Sequence, residues 1–103
     1  MKRALMMNEK DNVATALENL GEGTLTSVIL PSQELLKEVT TLQVIPSGHK
    51  LAIVAIKKGD NVMKYGEIIG KASQNIELGD YVHVHNVTSN RMQMPEVWYR
   101  EEE

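Results

Sequence analysis

Turn signals recur so closely through the second half of this chain that only short strands fit between them. Pro46-Ser47-Gly48, Lys57-Lys58-Gly59-Asp60 and Leu78-Gly79-Asp80 each set a glycine among turn-forming residues, and Gly66 and Gly70 add further breaks. The segments between them are apolar or β-branched. Residues 50–56 are almost continuously aliphatic, as in a strand buried on both faces. Residues 62–65, 68–73 and 81–87 read as three more strands. Upstream, residues 4–7 and 24–30 have the same character, the latter ending at Pro31. Residues 34–39 fit either a helical turn or a strand, and residues 40–45 read as a strand. Many short strands with little helix indicate a compact β domain.

One helix is expected. Val13, Ala16, Leu17 and Leu20 fall at i, i+3, i+4 and i+7, the spacing of one helical face. Asp11 precedes them as an N-cap and Gly21 follows as a C-cap. The predicted class is therefore mainly β with one short helix (α+β). The domain is expected over residues 1–91, and residues 92–103 form a flexible tail. That tail carries Pro95, Trp98, Tyr99 and three terminal glutamates. Its two aromatics suit either docking on a partner or packing on the domain's own surface. No internal repeat and no low-complexity linker is evident.

Composition narrows the function classes. The chain has 103 residues, no Phe and one Trp, so aliphatic residues and Met must fill a modest core. A net charge of -3 gives no electrostatic case for nucleic acid or an anionic membrane. The absence of cysteine excludes disulfides, thiolate metal sites and cysteine nucleophiles, and fits a cytoplasmic location. The apolar run near the N-terminus is too short for a signal peptide, and no run is long enough to span a bilayer.

The segment Tyr81-Val82-His83-Val84-His85-Asn86 is the most informative. On a strand, Tyr81, His83 and His85 share one face while Val82 and Val84 point into the core. Successive same-face residues lie roughly 6.5–7 Å apart, close enough for two imidazoles to meet one metal ion or one anionic substrate. A solvated polar strand face is the alternative. His49, the third histidine, sits at the mouth of the buried strand after Pro46-Ser47-Gly48, either as a functional group or as a turn residue in water. Lys64-Tyr65-Gly66 offers a cation for a carboxylate, a phenol and an open backbone, against the alternative of an ordinary hairpin with a snorkelling lysine. No phosphate-binding loop, nucleophile elbow or zinc-protease motif is present.

Taken in order, Ile45-Pro46-Ser47-Gly48-His49-Lys50, Lys57-Lys58-Gly59-Asp60, Val62-Met63-Lys64-Tyr65-Gly66, Ile69-Gly70-Lys71-Ala72, Ile76-Glu77-Leu78-Gly79-Asp80 and Val82-His83-Val84-His85-Asn86-Val87 resemble the SAF-type domain of altronate and galactarate dehydratases. The run from Asp11 to Leu17 resembles that family's opening helix. The resemblance implies a β-clip fold and hydro-lyase chemistry, in which a sugar acid loses water from C2 and C3 to give a 2-keto-3-deoxy acid. It implies a divalent metal, Fe2+ or Mn2+, held mainly by a large dehydratase subunit. This small domain would supply one wall of the site and be inactive alone. His49, His83 and His85 are the expected catalytic groups, with His83 and His85 also candidate metal contacts. Lys50, Lys64, Tyr65 and Asn86 are the expected substrate-binding groups. The segment from His85 to Arg91 is also similar to the small subunit of sulfolactate sulfo-lyase. The alternative is a non-catalytic SAF-type module that binds a sugar acid or positions a partner, with self-association open to it in isolation.

Overall fold

The computed structural model of the chain describes residues 2–89. They form nine strands and, among the described residues, no helix. The strands are β1 (Lys2–Leu5), β2 (Val13–Ala16), β3 (Leu25–Ile29), β4 (Leu35–Thr40), β5 (Lys50–Ala52), β6 (Asn61–Lys64), β7 (Glu67–Ala72), β8 (Tyr81–Val82) and β9 (Val87–Ser89). One sheet has the order β4-β3-β1-β2-β5-β8 and the other β6-β7-β9. Every pairing is antiparallel except that of β1 with β3.

Four arches of one design turn the chain between these strands. Each begins at a small buried residue: Ala16, Thr41, Ala52 or Ala72. Four positions on comes a fully buried aliphatic: Leu20, Ile45, Ile56 or Ile76. Three further on comes a glycine at positive φ: Gly23, Gly48, Gly59 or Gly79. The arches work in pairs. Leu20 and Ile45 exchange two backbone hydrogen bonds of 2.9 Å, and Ile56 and Ile76 exchange bonds of 2.8 and 2.7 Å. Each glycine N–H reaches across to the small residue of the partner arch, as from Gly48 to the Ala16 carbonyl and from Gly79 to the Ala52 carbonyl. The asparagine before one aliphatic in each pair repeats the theme. Asn19 Oδ1 accepts from the Ser47 N–H, and Asn75 Oδ1 accepts from the Lys58 N–H, both at 2.9 Å. The chain therefore does contain an internal repeat, hidden because its copies are unevenly spaced.

The expected helix over residues 11–21 is replaced by β2 and the first arch. Val13 and Ala14 are both buried but face opposite cores, which a single helical face does not allow. Ala16 and Leu20 are four apart because every arch sets its two buried anchors four apart. Asp11 is no helix cap: its buried carboxylate accepts from the N–H groups of Asn8, Tyr65 and Gly66 at 3.2, 3.0 and 2.8 Å. Gly21 is not among the positive-φ glycines. The ambiguous stretch resolves as β4, while residues 41–44 form no strand, since Thr41 opens the second arch.

The β2-β5-β8 part of the large sheet is buried on both sides. Ala14, Leu51 and Tyr81 form a cross-strand row on one face, packed with Leu20, Val28, Val39 and Ile45. Val13 pairs with Ala52 on the other face, where Ile56, Val62, Ala72, Ile76 and Val82 complete a second core. Two small cores thus share one partition, and their aliphatic content explains how the chain dispenses with Phe. The aliphatic run from residue 50 is a strand only to Ala52, then arches, leaving Val54 exposed. The single strand expected over 81–87 is broken by a turn at residues 84–86, and Val84, expected in the core, is 73% exposed. No helix among the described residues is long and apolar enough to cross a membrane. The expected tail, with Trp98 and Tyr99, lies outside the described residues.

Candidate functional site

Tyr81 is the centre of the site. Its place in the Ala14-Leu51-Tyr81 row seats the ring partly against the first core. Its carbonyl and N–H are also fixed. The carbonyl accepts from Asn86 Nδ2 at 2.8 Å, and the N–H donates to Gln43 Oε1 at 2.9 Å. The Tyr81 hydroxyl lies 2.6 Å from His49 Nδ1. The ring stacks on His83 at 5.5 Å between centroids and an interplanar angle of 10°, and stands 5.6 Å from His85. His49 and His83 rings are 5.2 Å apart. All three histidines therefore gather around one phenol.

Local sequence explains each placement. His49 follows the left-handed Gly48 in the second arch. The equivalent positions of the other arches hold Thr24, Asp60 and Asp80. Asp80 spends its carboxylate on its own turn, accepting from the Glu77 N–H at 2.8 Å. An imidazole at this position instead reaches the Tyr81 hydroxyl. His83 and His85 are not brought together by strand pleat as expected. Asn86 folds the segment back: its Oδ1 accepts from the His83 N–H at 3.0 Å and its N–H donates to the His83 carbonyl at 3.1 Å. Asn86 is 3% exposed with both ends of its amide bonded to backbone, so it holds the loop from within.

The electrostatics of the rim are one-sided. Partial burial, and then the positive charges of His49, Lys50 and His85, hold His83 below the ordinary histidine range. His49, Lys50, Tyr81 and His83 are half-buried and His85 is exposed. Imidazoles and a phenol at this spacing can donate hydrogen bonds to a carboxylate and exchange protons with a nearby hydroxyl. Among the described residues no group of three His, Asp or Glu side chains is arranged to hold an ion, and His49 Nδ1 is already taken by Tyr81.

Lys64 and Tyr65 were expected in the same concavity. They sit on the β6–β7 turn, where Met63 bonds to Asn12 and the Tyr65 N–H bonds to Asp11. His49 bonds instead to Ala16, at the other end of β2. The four-residue offset along that strand is about 13 Å. Tyr65 is 58% exposed at φ 57°, with Lys64 Nζ 5.0 Å from its ring centroid. Tyr81 is the member that sequence reasoning left out of the site. Its shared face with His83 and His85 was the available signal.

Two β cores, paired arches and a histidine-tyrosine rim define a small, wholly β domain among the described residues. Residues 2–90 match the family model described as the altronate/galactarate dehydratase SAF domain, and the chain belongs to that family. It is 42% identical over 90 residues to an altronate dehydratase of Escherichia coli (strain K12) and 37% identical over 90 residues to one of Bacillus subtilis (strain 168). Each match covers 87% of this chain but only 17% of the relative, so the chain spans about one sixth of the length of these relatives. It is also 35% identical over 75 residues to a (2R)-sulfolactate sulfo-lyase subunit alpha of Chromohalobacter salexigens, covering 73% of this chain and 80% of that subunit. A second subunit alpha, from Paracoccus pantotrophus, is 51% identical over 47 residues, 46% of this chain and 70% of the relative.

Proposed function

We propose that this domain is the small part of a hydro-lyase acting on a sugar acid of the altronate or galactarate type. Its Tyr81-centred rim forms one wall of an active site that a large catalytic chain completes. The observation that carries this reading is the convergence of His49, Tyr81, His83 and His85 on one rim, with Lys50 among the positive charges that act on His83. Elimination beside a carboxylate needs a base for the C2 proton, charge stabilisation for the carboxylate and an acid for the departing hydroxyl. His83, kept neutral, suits the base. Lys50 suits the carboxylate. His85, exposed at the loop, suits the acid. Asn86 serves by holding the loop, and Lys64 and Tyr65 belong to a separate contact with substrate or partner. The divalent cation, Fe2+ or Mn2+, is assigned to the large chain, and the location is cytoplasmic.

A sulfite-eliminating lyase is the second reading, favoured by the 51% identity to a sulfolactate sulfo-lyase subunit alpha. One experiment tests both. The chain is co-expressed with the large remaining part of an altronate dehydratase of the kind it matches. Formation of 2-keto-3-deoxy acids from hexonates and hexarates is assayed in parallel with sulfite release from sulfolactate. His83→Ala should lose at least about 10²-fold in turnover, the usual size of an acid–base contribution. Near-normal turnover in both His83→Ala and His85→Ala would remove the rim from the chemistry.

A further inference from the structure

We propose that Tyr81 is a positioning residue that fixes which nitrogen of His49 carries its proton, so that His49 meets a ligand as a hydrogen-bond donor through Nε2. The observation is the 2.6 Å contact between the Tyr81 hydroxyl and His49 Nδ1. Two arrangements satisfy it. Either the phenol donates to a bare Nδ1, or an Nδ1–H donates to the phenol oxygen. The second leaves the hydroxyl proton without a protein acceptor, because the described residues give that hydroxyl no other hydrogen-bond partner. Acidity points the same way. A phenol, with a pKa of about 10, is the stronger acid, and an imidazole nitrogen, whose protonated form has a pKa of about 6.5, is the stronger base. In the neutral ring the proton therefore sits on Nε2.

Tyr81 is well placed to impose this choice. Its ring packs against the first core and its backbone is held by Asn86 and Gln43. His49 in turn follows an arch glycine whose N–H is bonded to Ala16. Both ends of the hydrogen bond are thus fixed by the scaffold before any ligand arrives. The result is a division of labour among chemically identical side chains. His49 becomes a committed donor, unable to offer Nε2 as a base or metal ligand while the bond persists. For exposed His85 the described residues give the imidazole a tilted approach to the Tyr81 ring and no hydrogen bond, which leaves both tautomers open to it. The relevance of this device to a lyase rests on the function proposed above, whereas the tautomer itself belongs to this chain alone.

The test is long-range 1H–15N correlation of the imidazole nitrogens in 15N-labelled full chain, in mildly alkaline buffer. His49 should show a single tautomer with the proton on Nε2, while His85 in the same spectrum shows the averaged pattern. Tyr81→Phe keeps the ring and removes only the hydroxyl, and it should bring His49 to the averaged pattern. A His49 with its proton on Nδ1 in the unmodified chain overturns the proposal, whether or not the variant folds. An unchanged His49 pattern in folded Tyr81→Phe also overturns it. If the His49 pattern responds as expected but no lyase activity is found with any partner chain, the tautomer assignment stands and the proposed function falls.

Discussion

Alanine at Gly79 and alanine at Gly59 form a matched pair that separates backbone strain from steric conflict. Both glycines close an arch and both have φ of +90°. An L-residue in that region costs about 1–2 kcal/mol at either site. Their surroundings differ. A Cβ at Gly59 meets nothing within 4 Å, whereas a Cβ at Gly79 would fall on the carbonyl oxygen of Thr40, with the Thr40 carbonyl carbon at 3.3 Å. Thr40 ends β4 in register with Leu25, and the Gly79 carbonyl accepts from the Leu42 N–H at 3.0 Å, so neither strand can withdraw without breaking bonds. Forcing a methyl into a filled site costs a further 1–3 kcal/mol or so. Gly59→Ala should therefore lose about 1–2 kcal/mol and Gly79→Ala about 2–5 kcal/mol. Against a total of about 5–15 kcal/mol for a domain, the larger loss is a severe one. Urea unfolding with a shared m-value reads the difference directly. On heating, each additional kcal/mol should lower the Tm by roughly 4–8 °C in a domain of this size. Equal midpoints for the two variants would refute the argument, because they would mean that the arch can yield around Thr40.

Asp11→Ala should destabilise the chain by about 2–4 kcal/mol in the same urea assay, since it strips a shared acceptor from the N–H groups of Asn8, Tyr65 and Gly66. Asn86→Ala should cost about 1–3 kcal/mol and weaken the Tyr81–His83 stack, visible as loss of ring-current shifts in the 1H spectrum. Folding holds His83 below its unfolded value, so the unfolded chain takes up its proton first as pH falls. The His83 contribution to stability is therefore complete above the ordinary histidine range and is lost on acidification through that range. The urea midpoint should fall between about pH 8 and pH 5 more steeply in the unmodified chain than in His83→Gln. Equal slopes would show that neither burial nor the cationic rim acts on His83.

The β character of the chain was legible because turn chemistry is local. Gly48, Gly59 and Gly79 mark turns in sequence and in structure alike. The helix over residues 11–21 was a misreading with a definite cause. Ala16 and Leu20 imitate helical spacing, yet Thr41 with Ile45, Ala52 with Ile56 and Ala72 with Ile76 show the same interval in other arches. Aligning the four segments on their glycines would have exposed the pattern, but the unequal distances between them hide it from any search for a fixed period. The gathering of His83 and His85 was anticipated for the wrong reason, because the buried Asn86 amide and not the pleat turns the segment back. Nothing in the order of residues brings His49 to Tyr81. That meeting depends on β5 lying between β2 and β8, a long-range pairing that local signals do not encode.

The residue after each arch glycine has a consequence of its own. Its backbone is committed to a ladder, while its side chain leaves the turn at an equivalent point in all four copies, as Thr24, His49, Asp60 and Asp80 do. Where that side chain is not spent on its own turn, as the Asp80 carboxylate is, it stands outside both cores. His49 uses such a place to reach the Tyr81 hydroxyl, so the framework can carry a chemical group there without altering its interior.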